Sequence, residues 1–382
     1  MTQPKPQLIQ FGEEQAMLLD SAQEFCKQHS DMHAVRARLY PVDAKAANKQ
    51  LWQSMSELGW SGLAIPVEYG GSGMGIGAAV TIAEPMGRWL MATPFTTTQM
   101  VIAALLAGGS DAQRGEWLPK LAAGKAATVA VVEENGDWQL AAPQAQLVDQ
   151  VLTGQKTLIG ELESCDLVLV SVVHENQLAL VLLSVASLDA ERISADSVID
   201  ETRRSYTLNL DGLRIVPEQV LGGSAAPSAL KALEQVAWLL YSAEACGGTS
   251  GVIDLVVDYL CTRTQFGHKI GSYQALKHPT VDMLMGLERA RSHLYHAATL
   301  LDSQSHLSAH PSGGAEIALR MAKAESTEAF AFASDRAIQF HGGFGFTYDC
   351  DAQLYLRRSL WLQYQYGDAP HHRAQLAHQL LV

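Results

Sequence analysis

The chain has 382 residues, enough for two to three domains, and 48% hydrophobic content, enough for a sizeable core. A formal net charge of −13 without any lysine or arginine run argues against nucleic-acid binding, and no apolar stretch reaches the ~18 residues of a membrane span. The polar start MTQPKPQLIQFGEEQ has no apolar core of a secretory signal, and five dispersed cysteines (26, 165, 246, 261, 350) without a C-x-x-C suit reduced thiols, so a soluble, cytoplasmic protein is expected.

Residues 12–40 read as an amphipathic helix with Met17, Leu18, Ala22 and Phe25 on one face. Lys45 to Gly59 repeats the pattern with Leu51, Trp52, Met55 and Leu58, and Gly59 is a good helix stop. The following run is broken by Pro66 and by glycines 70, 71 and 73. With no Lys-Ser/Thr after them and no strand-turn-helix context, these glycines are not a P-loop. Helices over 75–90 and 98–108 flank Pro94, and the chain turns from helix to strand near Gly124. From Thr128 to Ile215 the period shortens. Val129, Val131 and Val132, then 167–173, 178–183, 206–210 and 213–216 are β-rich runs between polar turns such as Glu134-Asn-Gly-Asp and His174-Glu-Asn-Gln. From Pro227 the chain is helical to Val382, apart from a glycine-rich turn at 342–346. The layout predicts an α+β fold: an N-terminal helical domain over 1–126, a small middle β domain over 127–217 and a C-terminal helical bundle over 218–382.

The most informative stretch is Tyr259 to Met283. Apolar residues at helical spacing lead in (Ile253, Val256, Val257, Leu260) and out (Val281, Met283, Leu284, Leu287, Leu294), with Gly267-His268-Lys269-Ile270-Gly271 between them. Arg263, Phe266 and Gln274 are thereby gathered at one helix-to-helix corner. The set suits a nucleotide cofactor: guanidinium for a pyrophosphate, ring for stacking, carboxamide for an edge hydrogen bond. The competing reading makes Arg263 a surface ion pair and Phe266 a core plug.

The run Arg263-Thr264-Gln265-Phe266-Gly267 followed by Gly271-Ser272-Tyr273-Gln274 resembles the flavin-binding corner R-x-Q/A-F-G-x-x-I-x-x-F/H-Q of the acyl-CoA dehydrogenase family. Gln339-Phe340-His341-Gly342-Gly343-Phe344-Gly345-Phe346 resembles the family's Q-x-x-G-G-x-G-F/Y, and Trp60 to Gly73 resembles its G-W-x-G-L/I-x-x-P-x-x-Y/F-G-G-x-G. The resemblance covers nearly the whole chain. It implies an FAD-dependent enzyme that desaturates an acyl-CoA thioester and passes electrons to an electron-transferring flavoprotein. Such chemistry needs an isoalloxazine as hydride acceptor, a base for the α-proton and donors that polarise the thioester carbonyl. By the resemblance Arg263, Gln265, Phe266, Gln274, Gln339, Gly342 and Gly343 bind FAD, reaching that of a neighbouring subunit. A homo-oligomer, dimer or tetramer, or a heterotetramer with a paralogous subunit, is therefore expected.

The chain departs from the family pattern at three places. T-E-P-x-x-G-S-D appears only as Val132-Glu133-Glu134-Asn135-Gly136-Asp137, and Gly160 stands where a flavin-facing hydroxyl residue is usual. Tyr366 occupies the place of the usual C-terminal catalytic glutamate, and a second family position for the base falls near Ala237. Tyr, with a pKa near 10, is a poor base at neutral pH. Glu244, two turns beyond Ala237, is the candidate base, since burial among Ala, Cys and Gly would raise its pKa. Asp368 is the competitor. Against these stand a structural pairing of Glu244 with an arginine, a helix-capping role for Asp368, and a chain with no base that serves as the catalytically reduced subunit of a heteromeric enzyme. A bulky acyl group such as a sterol side chain would suit a displaced base.

Overall fold

In the computed structural model, residues 12–39, 44–223, 225–306 and 314–381 are described. Six helices come first: α1 (Glu13–His29), α2 (Met32–Ala37), α3 (Ala44–Glu57), α4 (Gly77–Arg88), α5 (Phe95–Gly108) and α6 (Asp111–Ala122). The helix expected over 12–40 is two, because Asp31 starts a new one: its carboxylate accepts from the Ala34 N–H at 2.7 Å. The chain before residue 12 and Tyr40 lie outside the described residues.

Strands β1 (Ala127–Ala130), β2 (Gln146–Val148), β3 (Val151–Thr153), β4 (Gln155–Gly160), β5 (Leu167–His174), β6 (Gln177–Ser184), β7 (Ile193–Ala195), β8 (Ser205–Asn209) and β9 (Val220–Leu221) form two sheets. One runs β3-β2-β5-β6-β9 with β1 parallel to β5; the other runs β4-β8-β7. The β5–β6 hairpin turns on Glu175-Asn176, both at positive φ, the geometry that matches strand twist. Leu213 to Val216, expected as a strand, is none: only a bridge from Arg214 to Val151 forms there. The run does meet edge strand β3, with the Leu152 N–H donating to the Leu213 carbonyl at 2.8 Å and the Ile215 N–H to that of Gln150 at 3.0 Å, but β3 is three residues long and the pairing stops at one bridge.

Helices return as α7 (Ala225–Thr262), α8 (Gln274–His306), α9 (Gly314–His341), α10 (Ala352–Tyr364) and α11 (Ala369–Leu381). Between α7 and α8 the expected turn is a small hairpin, β10 (Thr264–Gln265) with β11 (His268–Lys269), closed by Gly267 at φ +79°. Helix α7 is the axis of the molecule. It packs on α4, α5, α8, α9 and α10, and its segment 236–252 is buried all round. It meets α4 at Gly87 and Gly247, where a Cβ on either residue would overlap the other helix's backbone. That close crossing is why Ala245-Cys246-Gly247-Gly248 reads as small residues on an apolar helix.

Candidate functional site

Two places answer to the sequence motifs, and they differ in character. The first is the corner at the end of α7. Arg263, Gln265, Phe266 and Gln274 are all exposed, and Phe266 is 89% exposed with its backbone at φ +53°. A bare phenyl ring forgoes about 1.5–3 kcal/mol of burial, and a left-handed non-glycine residue costs about 1–3 kcal/mol more. The fold holds it there regardless: the Tyr273 hydroxyl donates to the Gln265 carbonyl at 3.2 Å, Lys269 Nζ to that of Thr262 at 2.6 Å, and the Ile270 N–H to that of Arg263 at 2.9 Å. Phe266 is no core plug, and among the described residues Arg263 has no carboxylate partner.

The second motif lies against the first. His341, the last residue of α9, stacks on Tyr259 one turn before Arg263, ring centroids 4.0 Å apart. Its Nδ1 meets the Ala337 carbonyl at 2.8 Å, so the ring serves packing. Gln339, Gly342 and Gly343 are exposed beside it, and a Cβ at either glycine would meet nothing within 4 Å. An unpaired guanidinium, an uncovered ring and open glycine backbone on one surface fit a dinucleotide approaching from outside the chain.

The second place is a cleft where α5, the β sheets, α7 and α10 meet, walled by Thr96, Leu158, Gly160, Glu161 and Gln365 among others. Its interior holds Arg203, Tyr241, Trp361 and Tyr366. The Arg203 guanidinium lies 4.7 Å from the centre of the Trp361 ring, Tyr241 meets that ring edge-on at 5.7 Å, and Tyr366 stacks on Tyr241 at 6.0 Å. About 30 Å³ of free space remains, room for one or two water molecules. A flavin ring does not fit this cleft as it stands: a cavity that takes benzene alone is about 150 Å³.

Glu244 sits behind the cleft, fully buried. It pairs with Arg203, accepts from the Thr96 hydroxyl at 3.1 Å, and faces an Arg358 nitrogen at 3.8 Å; Arg358 in turn pairs with buried Asp200. Burial disfavours the Arg203 charge, but Glu244, then Tyr241, Asp200 and Glu161, outweigh it and raise its pKa. The structural pairing set against the catalytic reading of Glu244 is therefore what the fold contains. Asp368 does what a cap does: its carboxylate accepts from the His371 N–H at 2.8 Å and its carbonyl from the His372 N–H, opening α11. Neither carboxylate lines the cleft. Burial pushes the hydroxyls of Tyr241 and Tyr366 further up from their ordinary range, away from any use as bases.

Sequence reading passed over three residues here. Arg203, in the turn before β8, gave no signal beyond a charged doublet with Arg204. Glu161 follows Gly160 at φ +56°, buried, accepting from Asn48 Nδ2 at 3.1 Å and the Arg204 N–H at 3.2 Å; burial raises its pKa. Lys323, fully buried in α9, donates to the carbonyls of Leu362, Gln363 and Gly367 and so pins the loop bearing Tyr366. Burial lowers its pKa to about 7, partly offset by Asp368. Among the described residues no helix is long and apolar enough to cross a membrane, and no cluster is suited to a metal ion.

Comparison with known proteins agrees with the sequence motifs. The family models described as acyl-CoA dehydrogenase, N-terminal domain and C-terminal domain match residues 12–125 and 228–381, together well over half of the chain. The chain is similar to acyl-CoA dehydrogenase IpdE2 of Mycolicibacterium smegmatis, 26% identical over 91% of this chain and 93% of the relative. Among solved structures it shares the fold of a chain in the ChsE4-ChsE5 complex from Mycobacterium tuberculosis, with TM-score 0.85 and 22% identity over 98% and 99% of the two chains. It shares it also with a chain in the structure reported for the electron transferring flavoprotein of Acidaminococcus fermentans, with TM-score 0.86 and 23% identity over 97% and 99%.

Proposed function

We propose, from the premise that this chain belongs to the acyl-CoA dehydrogenase family, that it takes part in α,β-dehydrogenation of an acyl-CoA thioester by closing its exposed corner over FAD seated in a neighbouring subunit. Members of the family are FAD-dependent oxidoreductases acting on acyl-CoA, and the chain is one of them, of a divergent type with bacterial relatives. The observation that carries the shared site is Phe266, 89% exposed in a left-handed conformation just past the end of α7 at Thr262, which is itself about 32 Å by helix rise from Tyr241. A corner so far from the chain's own cleft serves a cofactor held elsewhere. Arg263 would meet the pyrophosphate, Phe266 and Gln274 the nucleotide end, and Gln339, Gly342 and Gly343 the same nucleotide from the other side. Bound there, FAD supplies the two-electron acceptor; this chain's residues orient it and exclude water.

The base is best supplied by another chain. Glu244 is sealed behind Arg203 and Thr96, Asp368 is spent on a helix cap, and Tyr366 holds the usual glutamate position. This favours a heteromeric assembly with a paralogous subunit over a self-sufficient homo-oligomer, an arrangement in keeping with the ChsE4-ChsE5 complex whose fold the chain shares. Electrons would leave to an electron-transferring flavoprotein. Five free cysteines, four of them buried, suit a reducing, cytoplasmic setting.

The test is the visible spectrum of the assembly, isolated through a tag on this chain, before and after anaerobic addition of acyl-CoAs. A flavin band that bleaches with one thioester, and does so equally when Glu244 is replaced by Gln, supports the reading. A flavin that stays oxidised with straight-chain, branched and sterol-derived thioesters alike would overturn it.

A further inference from the structure

We infer that the chain's own cleft holds no flavin ring, so that its assembly carries one FAD for every two polypeptides; this rests on the reading of the corner given above. Three independent features lead there. The first is space: about 30 Å³ is free where three fused rings would have to lie.

The second is that the filling is locked. Moving Arg203 aside to admit a ring would strand Glu244, which is fully buried and, among the described residues, keeps only Arg358 at 3.8 Å as a paired cation. Breaking one partner out of such a buried pair lowers affinity for the incoming ligand by about a hundred- to several-thousand-fold. Trp361 would also lose the guanidinium over its face, and Tyr366 is held against Tyr241 by a loop that Lys323 fastens through three carbonyls.

The third is the wall itself. Leu158, at φ +54° where the β4–β8 register slips, lines the cleft half exposed and brings no polar group to a ring there. Gly160 brings no hydroxyl, and its carbonyl is already taken by the Thr128 hydroxyl at 2.7 Å. The chain is thus built to cover a nucleotide with its surface and to keep its interior shut.

The experiment counts flavin. FAD released by denaturing the native assembly is measured against total polypeptide, and the purified chain alone is titrated with FAD while circular dichroism verifies its fold. The expected results are about one FAD per two polypeptides in the assembly, and a folded but colourless chain alone. One FAD per polypeptide, or a yellow one-to-one complex of the chain alone, overturns the inference. A second arm replaces Gln365, a cleft-wall residue, with Ala in this chain: FAD content stays within about a tenth of the starting value if the cleft is closed, and a loss of half or more contradicts that. The count is independent of turnover. An assembly that bleaches with an acyl-CoA yet carries one FAD per polypeptide sinks the closed cleft alone; one that fails to bleach sinks the functional reading whatever the count.

Discussion

The corner around Phe266 and the cleft behind Tyr366 treat the same kinds of residue in opposite ways. At the corner an arginine has no carboxylate among the described residues and a phenylalanine is almost wholly exposed; in the cleft Arg203 is paired and stacked, and the rings of Tyr241, Trp361 and Tyr366 have neighbours. Stability is gained by satisfying groups, so unsatisfied groups on rigid backbone mark where a second molecule completes the surface. The lesson is that the cofactor motifs and the reacting centre of one chain need not serve the same cofactor molecule.

The contrast breaks most readily at Arg203. Replacing it with Leu leaves Glu244 buried beside only a distant cation and should cost about 3–5 kcal/mol in denaturant unfolding. The double variant Arg203→Leu with Glu244→Gln should regain much of that; no recovery would mean that the pair does not hold the cleft shut. Lys323→Met comes next. Three buried carbonyls lose their donor, and a loss of about 3 kcal/mol is expected by the same measurement, with the loop carrying Tyr366 exchanging its amides faster.

Lys323 also sets a pH dependence. Its folded pKa of about 7 lies below the ordinary 10.5, because burial outweighs Asp368. Between these values the unfolded chain holds a proton that the folded chain has shed, so stability rises with pH across that window, by up to about 1.4 kcal/mol per pH unit. Below pH 7 both states are protonated and the full cost of burying the charge remains. Unfolding free energies at pH 7 and 9 should therefore differ more in the natural chain than in Lys323→Met; equal differences would remove Lys323 from the account. The smallest effect is expected at Asp368→Ala, about 1 kcal/mol for a lost helix cap. Turnover of the assembly should be unchanged, whereas a catalytic Asp368 would abolish it.

Much of the fold was legible because it rests on short-range signals. Helix periods at 45–59 and 98–108, the β-rich run over 167–183 and its Glu-Asn turn are local. Leu213 to Val216 reads as strand by composition but meets only the short edge strand β3 and forms a single bridge there, a fact of sheet topology that no window of sequence contains. At the candidate site, the corner was legible because its residues lie within twelve positions and need no partner in the chain. Glu244 was not: whether an acid on an apolar helix is a base or half of an ion pair depends on Arg203 and Arg358, 41 residues before it and 114 after it. Arg203 itself carries no motif, and only the three-dimensional crossing of α7, α10 and the turn before β8 gives it a role.

The central claim is tested most directly by the FAD retained when the corner alone is altered. Arg263→Ala with Phe266→Ala in this chain touches exposed side chains and should leave its unfolding free energy within about 0.5 kcal/mol. The account predicts that the native assembly carrying these changes loses at least nine-tenths of its FAD on gel filtration while remaining assembled. Full retention of FAD would contradict it.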